Sequence, residues 1–331
     1  MFDVITIGSA SRDVLLKSKG VELRDHADSE TGVEQCFPLG SKIEVDEIVF
    51  ASGGGGTNAA VTFARQGFDT ACVSAIGDDI PGEEIMRELK KEDVDTKYFQ
   101  KHQGGTTAYS IVLVHPNGER TILSYKGEGQ HFLTAEVPFA RLKARWFYLD
   151  SMGGHYDLFA EAVKHATDNN IKIACNPGGK ELAHGLEKLK LLLAHMDIYI
   201  TNKDEGAGLV WQGAPDMAAK TSEETARELK KYVTAGIVVV SDGHHGVTVI
   251  DAGGQVYVAG VPDSPVVERT GAGDAFGSGF TCEYARSSDV AKAIQFGTAN
   301  ASAVVTQFGA KAGILKKGDW GPWPLVEVNK K

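Results

Sequence analysis

Apolar residues in this chain form short dense runs, separated by longer stretches in which they recur every three or four positions. Residues 4–8, 73–76, 146–149, 171–174, 198–200 and 237–240 are short runs rich in β-branched and aromatic residues, and each reads as a buried strand. Between them, 57–67, 81–92, 156–169, 186–195 and 221–234 carry the spacing of amphipathic helices. Strands alternating with helices predict an α/β fold whose largely parallel sheet is covered on both faces. Two more helices are expected late in the chain, at 273–286 and 288–306.

Two stretches, 14–51 and 106–126, break this rhythm. Residues 42–49 alternate apolar and polar, and 108–114 and 120–125 alternate on either side of a turn at 115–118 containing Asn117-Gly118, a strong hairpin signal. Alternation leaves one apolar face that must be covered. The reading is a core of 1–13, 52–105 and 127–331 carrying a small β-sheet built from 14–51 and 106–126. Such a sheet suits a lid over a cleft, part of a dimer interface, or a decorative hairpin.

The 331 residues, 42% hydrophobic and 24% charged, have the balance of an ordinary globular protein, so neither disorder nor a fibrous repeat needs considering. A formal net charge of −10 argues against nucleic acid as a partner. No apolar run approaches the roughly 18 residues of a membrane span. Asp3, Arg12 and Asp13 surround the first apolar run, unlike a secretory signal. Cys36, Cys72, Cys175 and Cys282 are scattered without a C-x-x-C pair, so a reducing, cytoplasmic location is expected. The ten histidines show no zinc-ligand spacing.

The most informative segment is Gly271-Ala272-Gly273-Asp274, at the start of an expected helix. Small residues leave backbone N–H groups uncovered, and a helix N-terminus favours an anion there. An acid in that place makes chemical sense as a base that takes a hydroxyl proton while the N–H groups hold a phosphoryl group. The alternative is a first-turn Asp that simply complements the helix dipole. A second cluster, Gly53-Gly54-Gly55-Gly56, precedes the helix carrying Asn58, and lets a ligand touch backbone while Asn58 offers an amide to hydroxyls. It lacks both the P-loop pattern and the dinucleotide fingerprint.

Other candidates follow strands. Asp13 could accept from two neighbouring sugar hydroxyls, or be a solvated loop acid. Asn202 and Glu205, three apart, share a helix face and suit a hydrated Mg²⁺, or form a capping box. Lys180 could neutralise phosphate oxygens, and Gly243 and Gly246 could let an adenine lie against backbone. Gly8, Asn176, Asn202 and Gly243 all follow expected strands, so their loops share one sheet edge and point to one cleft for a polyhydroxylated substrate and a nucleotide.

Taken together, Gly53-Gly54 with Asn58, Asn202-x-x-Glu205 and Thr270-Gly271-Ala272-Gly273-Asp274 resemble the ribokinase-like (PfkB) carbohydrate kinases over nearly the full length. The resemblance implies a three-layer α/β/α Rossmann-like core, an inserted β-sheet lid that often mediates homodimers, and ATP- and Mg²⁺-dependent transfer to a primary alcohol. It implies Asp274 as catalytic base, the N–H groups of Gly271, Ala272 and Gly273 as anion hole, and Asp13, Gly54 and Asn58 as substrate ligands. Asn202 and Glu205 would organise Mg²⁺, held through water, and the triphosphate. Gly243, Gly246 and the segment around Asn300 would border the adenine. A sugar or sugar acid is the expected acceptor, a nucleoside the alternative, and a non-catalytic sugar- or nucleotide-binding regulator a third reading. Three positions depart from the family: Glu268-Arg269 replace its usual Asp-Thr, Gly313 stands where a serine is expected, and Gly55 replaces a lysine. The first two put activation by a monovalent cation such as K⁺ in question; the third does the same for ribose.

Overall fold

The structure, a computed structural model, describes all residues except 19, 27–31 and 116–119. The expected hairpin turn at 115–118 lies, beyond His115, outside the described residues. Among these residues ten strands form the main sheet, in the order Val328–Lys330, Val256–Ala259, Val247–Ile250, Ile237–Ser241, Ile198–Asn202, Lys172–Cys175, Ala144–Leu149, Phe2–Ile7, Thr70–Val73, Val94–Asp95. From Ile237–Ser241 to Val94–Asp95 all neighbours pair parallel. The remaining three at the other edge are antiparallel.

Successive residues of a strand point to opposite faces, and here both faces are apolar. Ile5, Ile7, Phe147 and Leu149 pack under the helices Tyr156–Asp168, Leu186–Leu193 and Ser222–Lys230. Val4, Trp146 and Tyr148 pack against Ala59 and Phe63 of helix Gly55–Arg65, Phe276 and Phe280 of helix Ala272–Ser287, and Ala293 and Ile294 of helix Val290–Val305. The sheet is thus the middle layer of three.

A second sheet has the order Arg120–Tyr125, Tyr109–Val114, Ser11–Lys17, Glu47–Gly53. Two sequence expectations need correction here. The strand expected from 42 begins at Glu47, because its partner ends at Lys17, whose carbonyl receives the Asp46 N–H at 2.8 Å. The strand expected at 73–76 is two strands. Thr70–Val73 belongs to the main sheet, while Ala75–Gly77 pairs with Gln100–His102, the switch falling at Ser74, whose carbonyl accepts from the Gln100 N–H.

Alternation also sorts the faces of the small sheet. Asp13, Leu15, Ser110, Val112 and Ser124 share its inner face by register, and Leu15, Val112 and Val114 form a buried cluster there. Leu123, Ile111, Val14 and Phe50 are cross-strand partners in one row on the opposite face, with Leu123 and Phe50 exposed.

Candidate active site

Parallel pairing brings the loops after Ile7, Leu149, Cys175, Asn202 and Ser241 to one edge of the sheet. Helix Gly55–Arg65 starts at that edge through Gly54, whose φ of 91° lies in the left-handed region. A Cβ there would lie 2.4 Å from the Ser9 carbonyl oxygen, so only glycine fits. At Gly55 a Cβ would meet the Asp150 carboxylate at 1.8 Å. A side chain at position 55, such as the lysine of the ribokinase pattern, would need Asp150 to stand elsewhere.

Helix Ala272–Ser287 starts beside it, with Gly271 as N-cap at φ 78°. The Ala272 N–H reaches back to the Arg269 carbonyl at 3.3 Å, whereas those of Gly271 and Gly273 have no partner within the described chain. First-turn donors without partners form an anion site. Asp274 sits in this turn, and its Oδ2 accepts a 2.7 Å hydrogen bond from Asn58 Nδ2. Asn58 is buried and its Oδ1 lacks a partner, leaving one acceptor for a ligand hydroxyl.

The electrostatics around Asp274 involve more groups than the motifs name. Burial pushes the Asp274 carboxyl up, against the opposing pull of the Asn58 hydrogen bond and the Lys311 ammonium. Asp13 is also raised by burial, although Ser11, at 2.9 Å, and Ser110 donate to it and Lys311 attracts it. Asp150 is pushed well above the usual range, first by burial and then by the charge of Asp274; Ser151 N–H donates to its Oδ1 at 2.7 Å and its Oδ2 has no partner. Lys311, whose ammonium donates to the Ser52 carbonyl at 2.7 Å, is brought down to about 8 by burial. Asp150 and Lys311 were missed in the sequence. The signal for Asp150 was its position just past a buried strand; for Lys311 only its proximity to a glycine turn, Gly309-Ala310, offered a hint.

Two cavities open on this centre. One, of about 520 Å³, touches Gly54, Ser9, Ser11, Ser110, Ser124 and Lys180. Another, of about 120 Å³, is lined by Gly243, Gly246, Ala272, Gly273, Phe276 and Thr298. Asp274 lies between Gly273 of the second and its partner Asn58, four residues from Gly54 of the first. An acceptor on one side and a phosphoryl donor on the other would meet at the anion hole.

Residues 2–317 match the pfkB family carbohydrate kinases. The chain belongs to this family. It is a phosphotransferase with an alcohol group as acceptor. It is 25% identical to ribokinase of Haemophilus influenzae over 294 residues, 87% of this chain and 92% of that one. Its fold matches ribokinase of Cryptococcus neoformans in complex with ADP, with a TM-score of 0.72 at 17% identity over 96% of this chain and 97% of that one. It also matches a Burkholderia thailandensis nucleoside kinase in complex with inosine, with a TM-score of 0.75 at 14% identity over 96% of both chains.

Within this pfkB kinase several residues named from sequence sit differently from expectation. Lys180 is exposed and lines the larger cavity with Gly54, on the acceptor side and away from Gly243 and Gly246. Asn300 is wholly buried and fully bonded, donating to the Ala275 carbonyl at 2.8 Å and accepting from Leu315 N–H at 2.9 Å. It braces two helices, while its neighbours Ala301 and Ser302 line the pocket. Tyr109, Ile111 and Leu113 are on the opposite face from Ser110 and Val112. Arg12 is spent on Glu84 and Glu88 at 3.0 and 2.6 Å.

The family's two cations fit unequally. Asn202 Oδ1 caps helix Lys203–Val210, accepting from Glu205 N–H at 2.8 Å. Burial raises the Glu205 carboxyl against the pull of the Asn202 backbone N–H, with Asp204 and Asp274 adding to the rise. A carboxylate without a salt bridge among the described residues suits a hydrated Mg²⁺. Potassium fits poorly. Glu268 is wholly buried, its Oε1 accepts from Thr270 N–H at 2.5 Å, and Arg120 Nε stands 3.6 Å from the same oxygen. The guanidinium supplies countercharge to Glu268, while Glu268 Oε2, Thr270 Oγ1 and Arg120 Nε have no hydrogen-bond partner.

Proposed function

We propose that this kinase transfers the γ-phosphoryl group of ATP to a primary hydroxyl of a sugar or sugar acid. The observation that carries the reading is the Asn58–Asp274 contact at 2.7 Å, set beside unbonded N–H groups of Gly271 and Gly273 and next to a cavity rich in serine hydroxyls. In this reading Asp274 accepts the hydroxyl proton, a contribution of about 10²–10⁴-fold. The anion-hole N–H groups hold the phosphoryl oxygens as charge develops on them. Asp13, Gly54 and Asn58 orient the acceptor, while Gly243 and Gly246 flank the base of the nucleotide. Glu205, with Asn202 beside it, is the residue that would hold Mg²⁺, and the ion would neutralise phosphate charge. The small sheet covers the acceptor and excludes water that would compete with it.

A nucleoside acceptor is the second reading, supported by Tyr125 and Phe132, which line the same cavity. The exposed row of Leu123 and Phe50, with Ile48 near it, supports a homodimer through the small sheet. Four unpaired cysteines support a cytoplasmic setting. Acceptor-dependent ADP release, measured with ATP–Mg²⁺ against panels of sugars, sugar acids and ribonucleosides, tests the proposal. A sugar or sugar acid should give the highest kcat/KM; a ribonucleoside at the top moves the assignment to the second reading, and no acceptor-dependent release at all would refute both.

A further inference from the structure

Lys311 lies outside every motif described above, yet it joins three elements at the active centre. It follows Gly309-Ala310, and Ala310 packs so closely on Gly271 that a Cβ there would lie 2.4 Å from the Ala310 Cβ. Its ammonium donates to the carbonyl of Ser52, the residue paired with Arg12 and adjacent in sequence to Gly53. From this place it acts on Asp13 of the small sheet and on Asp274 of the helix Ala272–Ser287. The other groups facing it are Glu88 from the helix Ile80–Lys91 and the Cys72 thiol from the strand Thr70–Val73, with Glu92 more distant. Glu88 and Glu92 have their own cations, Arg12 at 2.6 Å and Arg65 at 2.7 Å. Among the described residues the Asp274 carboxylate is hydrogen-bonded to the neutral Asn58 amide alone, and Lys311 is the cation there that acts on it.

We propose that Lys311 is a positioning residue that keeps Asp13 and Asp274 ionised together and holds the small sheet's edge strand Glu47–Gly53 against the catalytic helix. The proposal rests on Asp274 being the base. Asp13, Asp150 and Asp274 place three carboxyls in one poorly solvated centre, and like charges there retain a proton unless a cation balances them. A retained proton on Asp274 would leave no base for the acceptor hydroxyl. The sign follows. Removing the ammonium raises the carboxyls further, so the acid limb of kcat/KM moves to higher pH.

The test is the pH profile of kcat/KM for wild type, Lys311→Met and Lys311→Arg, with circular dichroism to verify folding. The Met variant should move the acid limb up by about one pH unit or more. The Arg variant, charged throughout, should keep the wild-type acid limb. An acid limb unmoved in the Met variant overturns the proposal. Should that variant fail to fold, Lys311→Gln takes its place, and an acid limb unmoved in it overturns the proposal equally. Loss of all activity on replacing Asp274 tests the base itself, so the two failures are distinguishable.

Discussion

At the scale of single residues, Asp274 is placed for chemistry at some expense to the fold. Its carboxyl is raised by burial above the value it has in an unfolded chain. A raised acid stabilises the fold below the ordinary Asp range and loses that contribution as pH rises through its folded value. Ionised Asp274 is therefore destabilising at neutral pH, and Asp274→Asn should melt no lower than wild type at pH 7, with any gain shrinking toward acidic pH. A lower melting temperature at pH 7 would contradict this account of its environment. The motif residues Gly54, Asn58, Gly271 and Asp274 were legible because glycine runs and an acid at a helix start are local signals. Lys311 and Asp150 were not, because a lone lysine and a lone aspartate carry no pattern. Their meaning comes from being brought together by elements far apart in the chain.

At the scale of elements, periodicity placed the helices within a few residues, since each buries one apolar stripe and ends at a cap such as Asp79 or Asp289. It failed where length depends on a partner, as in the strand that starts only at Glu47. It also could not show that Arg120, at the start of a small-sheet strand, meets Glu268 in front of the anion hole. That cross-element pair leads to a prediction about potassium. Wild-type turnover should be the same in potassium and sodium salts at equal ionic strength. Arg120→Ala should lose turnover and stability, the latter by at most about 3 kcal/mol, the low end for a buried pair because Arg120 is partly exposed. Strong stimulation of wild type by potassium would show that the guanidinium does not fill that role.

At the scale of the whole molecule, the α/β class could be read from alternation, whereas the order of the strands within either sheet could not. Hydrophobic period says which face is covered and leaves open by what. The outer row of Leu123 and Phe50 is the case in point, and a homodimer is the cover proposed for it. Phe50→Glu should shift the mass measured by light scattering from dimer to monomer; a wild-type monomer would remove that cover. The central claim is that the cleft performs phosphoryl transfer with Asp274 as base, and the turnover of Asp274→Asn tests it most directly. With the best acceptor and ATP–Mg²⁺, turnover should fall by about 10²–10⁴-fold or more while thermal stabilisation by ATP–Mg²⁺ persists. Turnover near that of wild type in a folded, nucleotide-binding variant would contradict the account.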